Sequence, residues 1–210
     1  MSEHNARQWM IYGANGYTGE LIAREAARRG LKPVLAGRRR DSVEVLACAL
    51  GLEACAFDLD DVVALTGQIE GQALVLNCAG PFSATAAPMM EACLRGRAHY
   101  LDITGEIAVF ELAQSLNARA QDAGVVLWPG VGFDVIPTDC VAAALKQALP
   151  DATHLALGFD SRSGFSPAPP RPLSRAWRKE ARFVVTARSS PYRWPTRFAP
   201  STLVTVRRRR

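Results

Sequence analysis

From residue 8 onward, short apolar runs alternate with longer segments in which apolar positions recur every three to four residues. Residues 8–14 (QWMIYGA) are a short apolar run into a glycine turn and read as a strand. Residues 18–29 set Leu21, Ile22, Ala26 and Ala27 near helical spacing, and Gly30 marks the stop. The same alternation predicts strands at 33–37, 53–57, 73–79, 99–103 and 125–128, and another from 154 to 158. Between them it predicts helices at 42–50, capped by Asp41 or Ser42, and at 60–68, 84–95, 107–122 and 138–149, the last capped by Thr138 or Asp139. The strands are apolar at successive positions, as in ALVLNCA at 73–79, so both of their faces are expected to be covered. Strand and helix in strict turn, without an internal repeat, give an α/β fold class: a Rossmann-like doubly wound parallel sheet.

Composition agrees with a packed core, at 49% hydrophobic over 210 residues, and charge divides the chain. The net charge of +5 sums −7 over residues 1–160 and +12 over residues 161–210, where 13 Lys+Arg face a single acid, Glu180. That last stretch also holds seven of the 13 prolines and one of the 16 glycines, Gly164. A folded Rossmann-like domain is therefore expected at 1–150 and a disordered Arg/Pro-rich tail at 168–210. All five cysteines, Cys48, Cys55, Cys78, Cys93 and Cys140, precede the break. Their odd number and the lack of CxxC pairs argue for free thiols in a reducing cytoplasm rather than disulfides or a zinc site. The N-terminus is polar and no apolar run reaches the ~18 residues of a membrane span, so a soluble cytoplasmic chain without a transmembrane segment is expected.

Gly13-Ala14-Asn15-Gly16-Tyr17-Thr18-Gly19 lies between the first strand and the first helix. The first glycine allows the tight turn, the second lets backbone approach a pyrophosphate, and the third lets the helix pack on the strand. Phosphate then meets free N–H groups and the positive end of a helix. Gly13, Asn15, Gly16, Tyr17, Thr18 and Gly19 are the candidate pyrophosphate-binding residues. A site selective for NAD places a carboxylate at the end of the second strand to bind the ribose 2′-OH. Here that strand ends Ala36-Gly37-Arg38-Arg39-Arg40. Guanidinium groups suit a 2′-phosphate, so NADP(H) is favoured over NAD(H), with Arg38 first and Arg39 second. Asp58, after the third strand, is a candidate acceptor for the adenine amino group, and equally a helix cap or loop residue. Asn77, Ala79 and Gly80, at the end of the fourth strand, are the candidates beside the nicotinamide. Cys78 has no histidine nearby in sequence to activate it and is not expected to be a nucleophile.

Several segments occur in order: Tyr12 to Gly19, Leu35 to Arg39, Asn77-Cys78-Ala79-Gly80-Pro81-Phe82, Tyr100-Leu101-Asp102-Ile103-Thr104-Gly105-Glu106, and Pro129 to Asp139. Together they make the chain resemble the saccharopine dehydrogenase-like oxidoreductases, near the branch of trans-acting enoyl reductases, over about residues 8–167. The resemblance implies that 1–150 is an NAD(P)-binding Rossmann domain, that 151–167 is the start of a truncated α+β substrate domain of mixed sheet, and that hydride passes to or from an organic, small-molecule or lipid-like substrate. It also implies that Asp102, Glu106 and Asp134 lie near the cleft between those domains. Read from the residues alone, the three are caps and turn residues, and no catalytic residue or proton donor is assigned.

The resemblance runs through Gly158 to Pro167 and stops. Where family members resemble Gly-Thr-Ala-Lys-Thr, this chain has Ala168-Pro169-Pro170-Arg171-Pro172. The codons GGC ACC GCC AAG ACC, read without their first base, give GCA CCG CCA AGA CC, which encodes Ala-Pro-Pro-Arg-Pro. Shifted back, the tail becomes less basic and regains glycine, so residues 168–210 are expected to be a frameshift product. The leading expectation is an NADP(H)-dependent oxidoreductase whose truncated form binds cofactor without turnover. The alternatives are a non-catalytic NADP-binding regulatory protein, or a nucleic-acid binder using the basic tail with Trp177, Tyr192 and Trp194. Specific nucleic-acid recognition is not expected, and the oligomeric state, a homo-oligomer included, is left open.

Overall fold

The computed structural model describes residues 8–133, 135–156, 181–185, 188–192 and 205–207. The chain divides into two compact units, residues 1–136 and 137–210, where the sequence placed the boundary after 150. In the first unit the strands are β1 (Gln8–Tyr12), β2 (Val34–Gly37), β3 (Ala54–Ala56), β4 (Gln72–Asn77), β5 (His99–Asp102) and β6 (Leu127–Trp128). The helices between them are α1 (Tyr17–Arg28), α2 (Arg40–Leu50), α3 (Val62–Ile69), α4 (Phe82–Gly96), α5 (Ile107–Ser115) and α6 (Asn117–Ala123). All neighbouring strands pair parallel, in the order β3-β2-β1-β4-β5-β6. That order, with its reversal between β1 and β4, is the doubly wound Rossmann arrangement.

Two hydrophobic clusters show how the period of two sorts the strand residues. Met10 and Tyr12 of β1, Val34 and Ala36 of β2, Val75 and Tyr100 pack with Leu65, Ile69, Met89, Met90 and Val109 from α3, α4 and α5. Ile11 and Leu35, the residues in between, pack instead with Ala23 of α1 and Val43, Leu46 and Ala47 of α2. The sheet is thus covered on both faces, and all four positions of β2 are buried.

Element boundaries differ from the expected ones where capping decides them. The second helix starts at Arg40 and its N-cap is Arg39, without a side-chain cap; Val43 N–H already bonds the Arg39 carbonyl at 3.1 Å. Asp41 and Ser42 therefore lie inside the first turn rather than capping it, and Asp41 adds charge favourable to the positive end of the helix. The third helix starts at Val62, because Asp61 accepts from Val63 N–H at 2.8 Å and Ala64 N–H at 3.2 Å. The long helix expected at 107–122 is two helices parted at Leu116. There Leu116 N–H is shared between the carbonyls of Leu112 and Ala113, while the Ser115 hydroxyl takes the Leu112 carbonyl at 2.7 Å.

The second unit contains α7 (Ile136–Ala148), which starts two residues before the expected cap Thr138, so Thr138 and Asp139 sit in its first turn. It also contains β7 (His154–Ala156), β8 (Ala181–Val185), β9 (Arg188–Tyr192) and β10 (Thr205–Arg207). β8 and β9 pair antiparallel, as do β7 and β10. These last three strands fall within the stretch expected to be a disordered tail; its other residues lie outside the described residues, as does most of 151–167.

Leu35 is fully buried between β2 and α2. Leu35→Ala is expected to destabilise the first unit by roughly 2–5 kcal/mol through lost transfer energy and a cavity. Urea unfolding would read this as a lower midpoint with an unchanged slope.

Candidate coenzyme site

The glycine turn sits at the reversal of strand order, where β1 and β4 end side by side. Gly13 has φ +78°, and a Cβ there would lie 2.8 Å from the Ala79 amide nitrogen of the β4 exit. A Cβ on Gly19 would overlap the Gly13 carbonyl oxygen, so only glycine lets α1 pack this tightly on the turn. The amides of Gly13 and Ala14 both donate to the Ala36 carbonyl, at 2.8 and 3.1 Å, which ties the turn to β2. Gly16 is the N-cap of α1 and brings no side-chain cap. Tyr17 and Thr18, exposed in the first helical turn, leave the positive end of α1 open.

At the next strand end, Gly37 closes β2. A Cβ there would lie 2.9 Å from Asn15 Oδ1, so glycine lets Asn15 lie over the strand end. Asn15 and Arg39 line one depression of about 500 Å³ between α1 and α2, together with Glu20, Arg24, Asp41 and Ser42. Arg40 pairs with Glu44 at 3.2 Å, whereas among the described residues Arg38 and Arg39 form no salt bridge. Arg38 and Asp58 both act on the buried Tyr12 hydroxyl. Burial first, then Asp58, push Tyr12 up to about 12, and Arg38 opposes them. Tyr12 also stacks on Phe57, with ring centroids 5.1 Å apart, and donates to the Phe57 carbonyl at 3.3 Å. Asp58 is exposed and accepts from Leu59 N–H at 2.8 Å, a loop contact that leaves its second oxygen available.

A buried polar network joins the ends of β4 and β5. Asn77 and Asp102 are register partners, and both are fully buried. The Tyr100 hydroxyl donates to Asp102 Oδ2 at 2.6 Å and accepts from Asn77 Nδ2 at 3.3 Å. Asp102 Oδ1 accepts from Thr104 N–H at 2.9 Å and Gly130 N–H at 2.8 Å. Asn77 Oδ1 accepts from Ala79 N–H at 3.0 Å, and the Thr85 hydroxyl donates to the Ala79 carbonyl at 2.6 Å. Beside this network, Glu106 accepts from the Phe82 and Ser83 amides at 2.8 and 2.9 Å.

The predicted residues therefore fall at three adjacent strand ends: Gly13 to Gly19 after β1, Arg38 and Arg39 after β2, and Asn77, Ala79 and Gly80 after β4. Asp58 follows β3, on the edge beyond Arg38. Of the acids implied near the cleft, Asp102 and Glu106 serve as anchors for backbone amides, and Asp134 lies outside the described residues. Cys78 is a poor nucleophile: burial, then the charge of Asp102, push its thiol up to about 12. Sequence reasoning missed Tyr100, Thr85 and the anchoring role of Tyr12. Each reads as an ordinary core or helix residue until the register brings its partner alongside. Among the described residues no group of three or more His, Cys, Asp or Glu could hold a metal, and no helix is long and apolar enough to cross a membrane.

Residues 9–127 match the family described as the saccharopine dehydrogenase NADP binding domain. The human saccharopine dehydrogenase-like oxidoreductase is 30% identical over 152 residues, covering 62% of this chain and 35% of that protein. A trans-acting enoyl reductase of Mycobacterium tuberculosis (strain ATCC 25177 / H37Ra) is 28% identical over 153 residues, covering 69% of this chain and 37% of that protein. The chain thus spans about a third of the length of these curated relatives. Among solved structures, apo histidine-tagged saccharopine dehydrogenase (L-Glu forming) from Saccharomyces cerevisiae shares the fold. Its TM-score is 0.59 at 15% identity, over 69% of this chain and 32% of that one.

Tyr100→Phe removes the donor to one oxygen of the buried Asp102 and an acceptor of Asn77. The expected loss is about 1–3 kcal/mol, the penalty for buried polar groups left unpaired. Thermal unfolding of the variant against the parent would show it, and an unchanged midpoint would contradict the network as drawn.

Proposed function

We propose, for a chain that belongs to the saccharopine dehydrogenase NADP-binding domain family, that its first unit holds NADP(H) for hydride transfer to or from an organic substrate. The activity is that of an oxidoreductase of the saccharopine dehydrogenase-like or enoyl reductase type. One observation carries the reading: an α1 N-terminus without a side-chain cap lies beside a strand end whose Arg38 and Arg39 form no salt bridge among the described residues. The glycine turn fits a dinucleotide site, because side chains at Gly13 and Gly19 would strike the Ala79 amide and the Gly13 carbonyl and unseat the turn. Asn15, Tyr17 and Thr18, with Gly16 at the N-cap, meet the pyrophosphate at the open start of α1, while Gly13 and Gly19 shape the turn that makes room for it. Arg38, with Arg39 second, takes the 2′-phosphate. Asp58 faces the adenine side, and Asn77, Ala79 and Gly80 flank the nicotinamide ribose. When bound, the nicotinamide supplies the hydride chemistry at its C4 position.

A narrower reading is that this chain binds coenzyme without turning substrate over, because the acids at the β4 and β5 ends, Asp102 and Glu106, are engaged with backbone amides. Substrate-dependent NADPH oxidation by the 210-residue chain would replace that reading with the full activity. Arg38→Ala is expected to weaken NADPH by about 10- to 100-fold, the loss of one charge-assisted contact, and to leave NADH nearly unchanged. Titration calorimetry with both coenzymes decides it, and comparable losses for the two would defeat the assignment of Arg38.

The basic tail is proposed to be an out-of-frame product of a one-base slip near codon 168. Supporting this, 13 of the chain's 25 Lys+Arg lie after residue 160, alongside one glycine and seven prolines. Nucleotide sequence across codons 165–172 from independent isolates is expected to show the extra or missing base. An intact frame encoding Ala168-Pro169-Pro170-Arg171-Pro172 in all of them would sink the idea.

A further inference from the structure

Glu106 stands at the N-cap position of α5, with φ −85° and ψ 114°, and its carbonyl accepts from Val109 N–H at 2.9 Å. Helix N-caps favour short side chains that can turn back on their own helix. Glu106 gives α5 no side-chain cap. Its carboxylate reaches the start of α4 instead, a helix 24 residues earlier in the chain, and binds two successive amides, Phe82 at 2.8 Å and Ser83 at 2.9 Å. Pro81, the N-cap of α4, offers no side-chain acceptor of its own. The side chain is half-buried, and its backbone is fixed in turn: Glu106 N–H donates to the Thr104 hydroxyl at 3.0 Å, and Thr104 N–H to the buried Asp102.

We infer that Glu106 is a positioning residue for the nicotinamide end of the coenzyme site. It acts through the β4–α4 turn that its carboxylate holds. The inference rests on the coenzyme reading above. The turn it holds is continuous with the glycine turn. Thr85, in the first turn of α4, fixes the Ala79 carbonyl at 2.6 Å, and the Ala79 amide lies 2.8 Å from where a Gly13 Cβ would be. A shift at the start of α4 therefore moves Ala79 against Gly13. Charge works in the same direction. A carboxylate on its first amides compensates the positive end of α4, whereas α1 brings no side-chain cap. At the β4 end a dinucleotide then meets a compensated helix start, and its nicotinamide half passes α4 without competing for an anion site there.

The test separates the two halves of the coenzyme. The probes are NADPH and 2′,5′-ADP, which carries the 2′-phosphate and adenosine but no nicotinamide, titrated into the full chain. Glu106→Ala is expected to keep 2′,5′-ADP affinity within about twofold and to weaken NADPH by about tenfold, the scale of losing a charged hydrogen-bond pair. Added acetate is expected to restore NADPH binding by occupying the vacated amides, whereas chloride at equal ionic strength does not. If Glu106→Ala unfolds, Glu106→Gln serves: it keeps the shape and one acceptor oxygen, and a smaller loss confined to NADPH is expected. Equal losses of NADPH and 2′,5′-ADP, an unchanged NADPH affinity, or no response of Glu106→Ala to acetate would overturn the inference. A parent chain that binds neither probe would overturn the coenzyme reading itself, and this inference with it.

Discussion

The buried carboxylate of Asp102 is the constraint on which the carboxyl edge of the sheet depends. A fully buried carboxylate is tolerated only where donors surround it. Asp102 has three, the Tyr100 hydroxyl and the amides of Thr104 and Gly130, and its carbonyl takes the Val131 amide at 2.8 Å. Meeting that demand fixes where the chain runs after β5 and after β6. The demand propagates, because Tyr100 also serves Asn77, Asn77 serves Ala79, and the Ala79 backbone closes on Gly13. The glycine turn at one strand end is therefore seated by a carboxylate two strands away. Such a network holds its geometry only while every member is satisfied.

Helix ends in the first unit are treated differently according to what they face. Asp61 caps α3 locally and Glu106 caps α4 from a distance, while α1 and α2 begin without side-chain caps. Of the helices that begin without a side-chain cap, α5 and α6 among them, α1 follows the glycine turn and α2 begins at the arginines after β2. This distribution gives the net charge of +5 a different meaning from the one it first invites. Up to residue 160 the chain is acidic, and the positive charge at the carboxyl edge of the sheet is local, at Arg38 and Arg39 beside two helix starts without side-chain caps.

The architecture was legible because its signals are short-range. Strands covered on both faces read as continuous apolar runs, and each helix carries its own period, as Ala23 and Ala26 do on α1. The glycine turn was legible for the same reason, since turn, strand and helix are adjacent in sequence. What stayed hidden depends on partners far along the chain. Glu106 reads as the acid of a strand exit, and nothing local says that its carboxylate belongs to a helix 24 residues back. Tyr100 reads as core, until the pairing of Asn77 with Asp102 places its hydroxyl between two buried polar groups. The break at Leu116 was missed because the apolar period continues through it, and only the competing hydrogen bonds there interrupt the ladder.

The same network bears on where catalysis can come from. A proton donor for hydride transfer must be free to exchange its proton with substrate. Among the described residues near the β4 and β5 ends, the ionisable groups are already engaged. Asp102 holds three donors, Glu106 holds two amides, and burial raises the Tyr100 hydroxyl while its proton is given to Asp102. Burial, then the charge of Asp102, push the Cys78 thiol up. The acids that a family resemblance places near the cleft are thus the parts that hold the site's shape. A group of this network that gave up a proton would break the contacts that seat the glycine turn. The first unit, which matches the NADP-binding family, thus uses these acids to hold its shape, and none of them is free for proton transfer.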